Sequence, residues 1–155
     1  MVILKEITKD NFSECIELKV SEDQKTFVAS NVYSLAQAWL YPKNARPFAI
    51  YNDEIMVGFL MLDIDFHWYG DKNTCYLWRL MIDEKHQGKG YGKATVKSAI
   101  EYLKENISPE KLKTSFVPGN DVVEKLYKSL GFIATGEIDG DEIVMELNLI
   151  TGDKI

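Results

Sequence analysis

The chain has 155 residues, 46% hydrophobic and 27% charged, the makeup of a single folded domain rather than of a disordered chain. Its 18 Lys and Arg stand against 24 Asp and Glu, a net charge of −6, which is the reverse of the basic excess that binds a phosphate backbone; nucleic acid is excluded as a partner, and a cationic small molecule suits the acidic balance. The first residues hold no apolar secretory core and no run reaches the roughly 18 apolar residues of a membrane helix, so a cytoplasmic protein without a membrane partner is expected.

Val2 to Ile7 predicts a first strand. Thr8, Lys9 and Asp10 open a helix whose apolar face is Phe12, Ile16 and Leu18. The next stretch is irregular until Ser34–Leu40, which reads as a helix stopped by Pro42. Pro47–Tyr51 is a strand, Asn52-Asp53-Glu54 a turn, and Ile55–Leu62 a partner strand that runs on through Phe66 and is apolar on both faces, hence internal to a sheet. Tyr69–Asn73 turns the chain into a third long strand, Thr74–Ile82, apolar except at Arg79.

A glycine-rich turn then leads into a helix from Tyr91 to Glu105, with Val96, Ala99, Ile100 and Leu103 at helical period. Leu112–Val117 is a strand, and Asp121–Leu130 a helix with Val122, Val123, Leu126 and Leu130 on its apolar side and Gly131 after its end. Phe132–Ile138 and Glu142–Leu149 form a closing hairpin. The order predicts one α/β domain over residues 1–150, a mixed sheet with helices on its faces, and a frayed tail over 151–155. Cys15 and Cys75 form no CxxC and no ligand spacing, which reads as two reduced, partly buried thiols; with only two histidines, no metal is expected.

The segment Gln87-Gly88-Lys89-Gly90-Tyr91-Gly92-Lys93 carries the most information. It joins a hydrophobic strand to an amphipathic helix. Alternate glycines let the backbone curl and approach a ligand closely. The first amides of the helix have no internal partner and sit at the positive end of its dipole, which suits a phosphate or pyrophosphate, and Lys89 and Lys93 can add charge. The P-loop pattern fails, because Ala94 follows Lys93, and so does GxGxxG, whose last position falls on Lys93. The plain alternative is a turn that merely connects strand and helix.

The spacing Gln87-x-x-Gly90-x-Gly92 resembles the acetyl-CoA signature of the GCN5-related N-acetyltransferases, with Gln where Arg is commoner. Upstream, Leu80-Met81-Ile82 resembles that family's central strand. Downstream, Asn120 to Phe132 resembles its second motif, Asn-x-x-x-x-x-Leu-Tyr-x-x-x-Gly-Phe. The resemblance covers most of the chain and implies the family's fold, a mixed sheet of about seven strands with four helices, in which homodimers are frequent. It implies acetyl-CoA as cosubstrate. It also implies roles: backbone groups of Leu80, Met81 and Ile82 on the acetyl carbonyl and pantetheine arm; Gln87, Gly88, Lys89, Gly90, Tyr91, Gly92 and Lys93 around the pyrophosphate; Asn120 and Lys128 on the cofactor; and Tyr127 as the acid that protonates the departing thiolate. On spacing alone, Tyr127 suits a packing role on the sheet equally well.

Within the family the N-terminal half, Phe27 to Ala38 and Arg46 to Tyr51, together with Trp78–Ile82, resembles the bacterial spermine/spermidine acetyltransferases. That implies acetylation of a polyamine, a cationic amine that needs carboxylates and aromatic faces. Asp63 and Asp65 lie two apart on a strand and Glu14 and Glu17 three apart on a helix, so each pair shares a face, and a solvated surface is the plain alternative for both. Tyr33, Trp39, Trp68 and Trp78 are candidate aromatic walls. Some relatives carry a glutamate near the position of Trp78; here the general base falls to Asp65 or to ordered water. Other amines (an aminoglycoside, an amino acid, a protein amine) stay open, as does a non-catalytic acetyl-CoA sensor.

Overall fold

A computed structural model describes residues 1–64 and 73–150. The strands are β1 (Val2–Glu6), β2 (Ala45–Asn52), β3 (Ile55–Asp63), β4 (Thr74–Ile82), β5 (Lys111–Phe116), β6 (Ile133–Asp139) and β7 (Glu142–Asn148). The helices are α1 (Phe12–Glu17), α2 (Asn31–Leu40), α3 (Tyr91–Asn106) and α4 (Asp121–Ser129). The strands form one sheet in the order β1-β2-β3-β4-β5-β7-β6, antiparallel throughout except for the parallel pair β4 and β5. This is the mixed α/β architecture expected of the sequence.

Strand alternation divides the core in two. Phe48, Ile50, Leu60 and Leu62 face one way and pack with Val96, Ala99 and Leu103 of α3 and Tyr127 of α4. Ala49, Tyr51, Phe59 and Met61 face the other way, with Cys15 of α1 and Leu35 and Ala38 of α2. The central strand β3 is buried from Met56 to Asp63, as its unbroken apolar run predicts. At Gly58 a Cβ would run into the Met81 carbonyl oxygen, so no other residue fits between β3 and β4 without moving the backbone.

Four local expectations change. Helix α1 buries Cys15, while Phe12 is 44% exposed; the short helix lies against β3 on a single turn, so its buried stripe is narrower than the apolar pattern. Helix α2 begins at Asn31 rather than Ser34, because Ser30 caps it by accepting from the Tyr33 amide at 3.2 Å. Asn31 is then buried and donates to the Cys15 carbonyl at 2.8 Å, tying α2 to α1. Val122, expected on the buried side of α4, is 73% exposed. Both cysteines are free and fully buried.

Candidate active site

The site arises where the sheet parts. The pairing of β4 with β5 runs from Thr74↔Lys111 to Leu77↔Thr114 and stops there, although β4 continues to Ile82 and β5 to Phe116. Thr114 Oγ1 donates to the Leu77 carbonyl at 3.2 Å and marks the fork. Beyond it β4 keeps its ladder with β3 on one side only. A cavity of about 840 Å³ fills the gap and continues along α3 and α4. Leu80, Met81 and Ile82 line it.

A bulge shapes the β4 wall. Met61 pairs with Arg79 and Leu62 with Leu77, which leaves Trp78 as the extra residue. A bulge re-aims side chains, and here Trp78 and Arg79, adjacent in sequence, both line the cavity.

The glycine turn closes one end. A short 3-10 turn, Glu84–His86, follows β4 and is held by Asp83, whose Oδ1 accepts from the Lys19 amide at 3.0 Å and Oδ2 from the Lys85 amide at 3.2 Å. Gln87 Nε2 donates to the Ile82 carbonyl at 3.0 Å and to Gln24 Oε1 at 2.8 Å, and Gln24 Nε2 returns a bond to Gln87 Oε1 at 3.2 Å. The Gln87 side chain therefore fixes the turn from within. Gly88 (φ 76°) and Gly90 (φ 83°) occupy the left-handed region, which an L side chain enters at a cost of roughly 1–2 kcal/mol. Gly90 is the N-cap of α3 and offers no side chain to the first amides, which stay available to an anion. Gly88, Gly90, Tyr91, Gly92 and Lys93 line the cavity. Lys89 does not; its side chain is exposed. His86, the last residue of the 3-10 turn, is half-buried on the cavity wall.

On the opposite wall Asn120, the N-cap of α4, and Tyr127 both face the cavity. Tyr127 is buried, with its ring 5.3 Å from that of Phe132. Burial pushes its phenol up to about 12, the Glu142 charge adds to the rise, and a hydrogen bond with Thr114 opposes it. Lys128 lies elsewhere: it pairs with Glu124 at 3.1 Å one turn back along α4 and is absent from the lining. The one-residue step from Tyr127 rotates it off the cavity face.

The far side of the fork is polar. Arg79 donates through Nη2 to Gln37 Oε1 of α2 at 2.8 Å and through Nη1 to the Trp78 carbonyl at 3.1 Å, and its guanidinium lies 5.6 Å from the Trp78 ring centroid. Arg79 Nε is buried with no hydrogen-bond partner among the described residues. Glu142, the first residue of β7, is the one carboxylate among the described residues of the lining. Burial raises its pKa, Asp139 and Asp141 add to the rise, and Arg79 and a hydrogen bond from Ser115 oppose it.

The other expected acceptor residues do not gather here. Asp63 is buried beside β4 outside the lining, and Glu14 and Glu17 are exposed on α1. Tyr33 and Trp39 stand outside the lining, Trp39 being 83% exposed on the outer face of α2. Asp65 and Trp68 lie outside the described residues. Glu142, Ser115 and Gln24 went unnoticed in the sequence, for nothing in their spacing ties them to the glycine turn.

The model of the acetyltransferase (GNAT) family matches residues 5–132. The chain is 30% identical over 150 residues to the spermine/spermidine N(1)-acetyltransferase of Bacillus subtilis (strain 168), covering 92% of this chain and 96% of the relative. Among solved structures it resembles the spermidine N-acetyltransferase of Vibrio cholerae in complex with CoA and spermine, with a TM-score of 0.75, 17% identity, and 96% of this chain and 95% of the other covered. The aminoglycoside acetyltransferase AAC(6')-Ib in complex with coenzyme A gives a TM-score of 0.80 at 15% identity, with the same coverage. At such identities these two likenesses speak to fold alone.

Proposed function

The chain belongs to the acetyltransferase (GNAT) family, whose members use acetyl-CoA, and from that premise we propose that it transfers the acetyl group to a primary amine of a polyamine, spermine or spermidine, by direct attack in a ternary complex. The observation that carries this is a cavity at the β4–β5 fork lined both by the glycine turn that opens α3 and by the carboxylate of Glu142. The relative at 30% identity supports a polyamine as the amine, and the net charge of −6 favours the approach of a polycation.

Each wall has a task in this mechanism. The amides of Gly88 to Lys93 bind the pyrophosphate at the start of α3. The backbone of Leu80, Met81 and Ile82, past the end of the β5 ladder, aligns the pantetheine arm and offers N–H groups to the carbonyl oxygen as it becomes an oxyanion. Asn120 holds the cofactor from the start of α4. Tyr127 gives its proton to the departing thiolate; burial keeps the phenol protonated until that moment. Lys128, bound to Glu124, has no part in it.

A second acceptor class has an observation of its own. The cationic Arg79 lines a cavity with one carboxylate among its described lining residues, which favours an amine that also carries an oxygen acceptor, as an amino sugar or an amino acid does. The test is CoA release from acetyl-CoA with spermine, spermidine, putrescine, kanamycin and free amino acids. Fast release with spermine or spermidine and slow release with the others is the expected result. Release only with an oxygen-bearing amine moves the substrate to the second class. Tight CoA binding with no release overturns both in favour of a sensor.

A further inference from the structure

The departure of the attacking amine's proton needs a base, and Glu142 is the one carboxylate among the described residues that line the cavity. Glu142 opens β7 one residue beyond the Phe116↔Ile143 pair, at the point where β5 ends beside the open fork. It shares the cavity with Tyr127 and Arg79, and its charge acts on both. The groups that interact with it come from several elements: Arg79 from β4, Ser115 from β5, Tyr127 from α4, Asp139 from β6 and Asp141 from the hairpin turn. Arg79 is in turn held by Gln37 through Nη2 at 2.8 Å.

We propose that Glu142 is the catalytic carboxylate of the acceptor side: it receives the substrate's ammonium group as a counter-ion and takes its proton. This rests on the acetyltransferase reading but not on the choice of polyamine. The steps balance. The ammonium gives one proton to Glu142, and the neutral nitrogen forms its bond to the thioester carbonyl carbon. The C–S bond breaks, Tyr127 protonates the thiolate, and the second proton lost by nitrogen restores the phenol. Glu142 releases its proton to solvent, so the net products are the amide, CoA thiol and one proton. The hairpin's acidic residues and the burial of Glu142 suit a base that must hold a proton above the ordinary carboxylate range.

The experiment compares wild type, Glu142→Gln and Glu142→Asp, following CoA release across pH with spermine and, in parallel, with kanamycin, alongside the Kd for acetyl-CoA. Glu142→Gln is expected to lower kcat/KM by about 10²–10³-fold near neutrality, within the roughly 10²–10⁴-fold of general acid–base catalysis. Its Kd for acetyl-CoA stays within about twofold. The acid limb set by the carboxylate disappears, and activity climbs with pH as the free amine deprotonates. Glu142→Asp keeps the acid limb at reduced rate. A variant Glu142→Gln within threefold of wild type at every pH overturns the proposal, as does a loss matched by weaker acetyl-CoA binding. Wild-type turnover of kanamycin but not spermine defeats the polyamine reading alone, and Glu142 is then judged on kanamycin. Absence of turnover with both amines overturns the two together.

Discussion

The two ends of the cavity are assembled differently. The cofactor end comes from one short stretch, Gln87 to Lys93 without Lys89, together with Asn120 and Tyr127, seven positions apart at the next helix. The acceptor end joins Arg79 of β4, Gln37 of α2, Ser115 of β5 and Glu142 of β7, residues that meet only because β7 is inserted between β5 and β6 and because Trp78 is bulged. A phosphate site needs a run of backbone amides, and consecutive residues supply that. An amine site needs separated charges at fixed positions, and separate elements supply those. The cofactor end is therefore set by local conformation, and the acceptor end by packing, so the two should respond separately to substitution.

The largest expected effect tests whether Tyr127 acts in chemistry or only in packing. Tyr127→Phe keeps the ring against Phe132 and should lower kcat by about 10²–10⁴-fold, the range for a lost acid, while the Kd for acetyl-CoA barely moves. Stopped-flow turnover beside a calorimetric binding curve checks this, and unchanged turnover would return Tyr127 to the core.

Next is the acceptor end by itself. Arg79→Gln removes a charge that steadies both Gln37 and Glu142. Hydrogen bonds to charged groups are worth about 1.5–3 kcal/mol, so the amine's KM should change by roughly tenfold or more with acetyl-CoA affinity intact. Equal effects on both ligands would break the distinction between the two ends.

The cofactor end has the converse test. Gly90→Ala adds a Cβ at φ 83°, strains the turn by roughly 1–2 kcal/mol, and should weaken acetyl-CoA binding by about tenfold while the amine's KM holds. The smallest effect belongs to Gln24→Ala, which removes the amide pair on Gln87. A hydrogen bond contributes about 1 kcal/mol net, so a drop of about fivefold in CoA affinity, read by titration, is expected.

Particular residues show what could be read without coordinates. The run Ile55–Leu62 announced a central strand because both its faces are apolar, and Gly131 marked the end of α4 because a left-handed residue there favours glycine. Local rules failed where a neighbour decided. Phe12 and Val122 are apolar yet exposed, since burial depends on what lies opposite, and Trp39 is an exposed aromatic side chain outside the lining of the cavity at the fork. Lys128, expected on the cofactor, pairs with Glu124 instead, since one step along a helix turns a side chain by more than a quarter of a circle.

The elements, the glycine turn and the family resemblance are legible in the order of residues, because each depends on backbone conformation and on contacts a few residues apart. Only the tertiary structure decided that the β4–β5 ladder ends at Leu77↔Thr114, that Gln24 holds Gln87, and that Glu142 faces the same cavity as Tyr127. Those facts depend on strand order and register, which bring together residues far apart in the chain, and no local spacing encodes such a meeting.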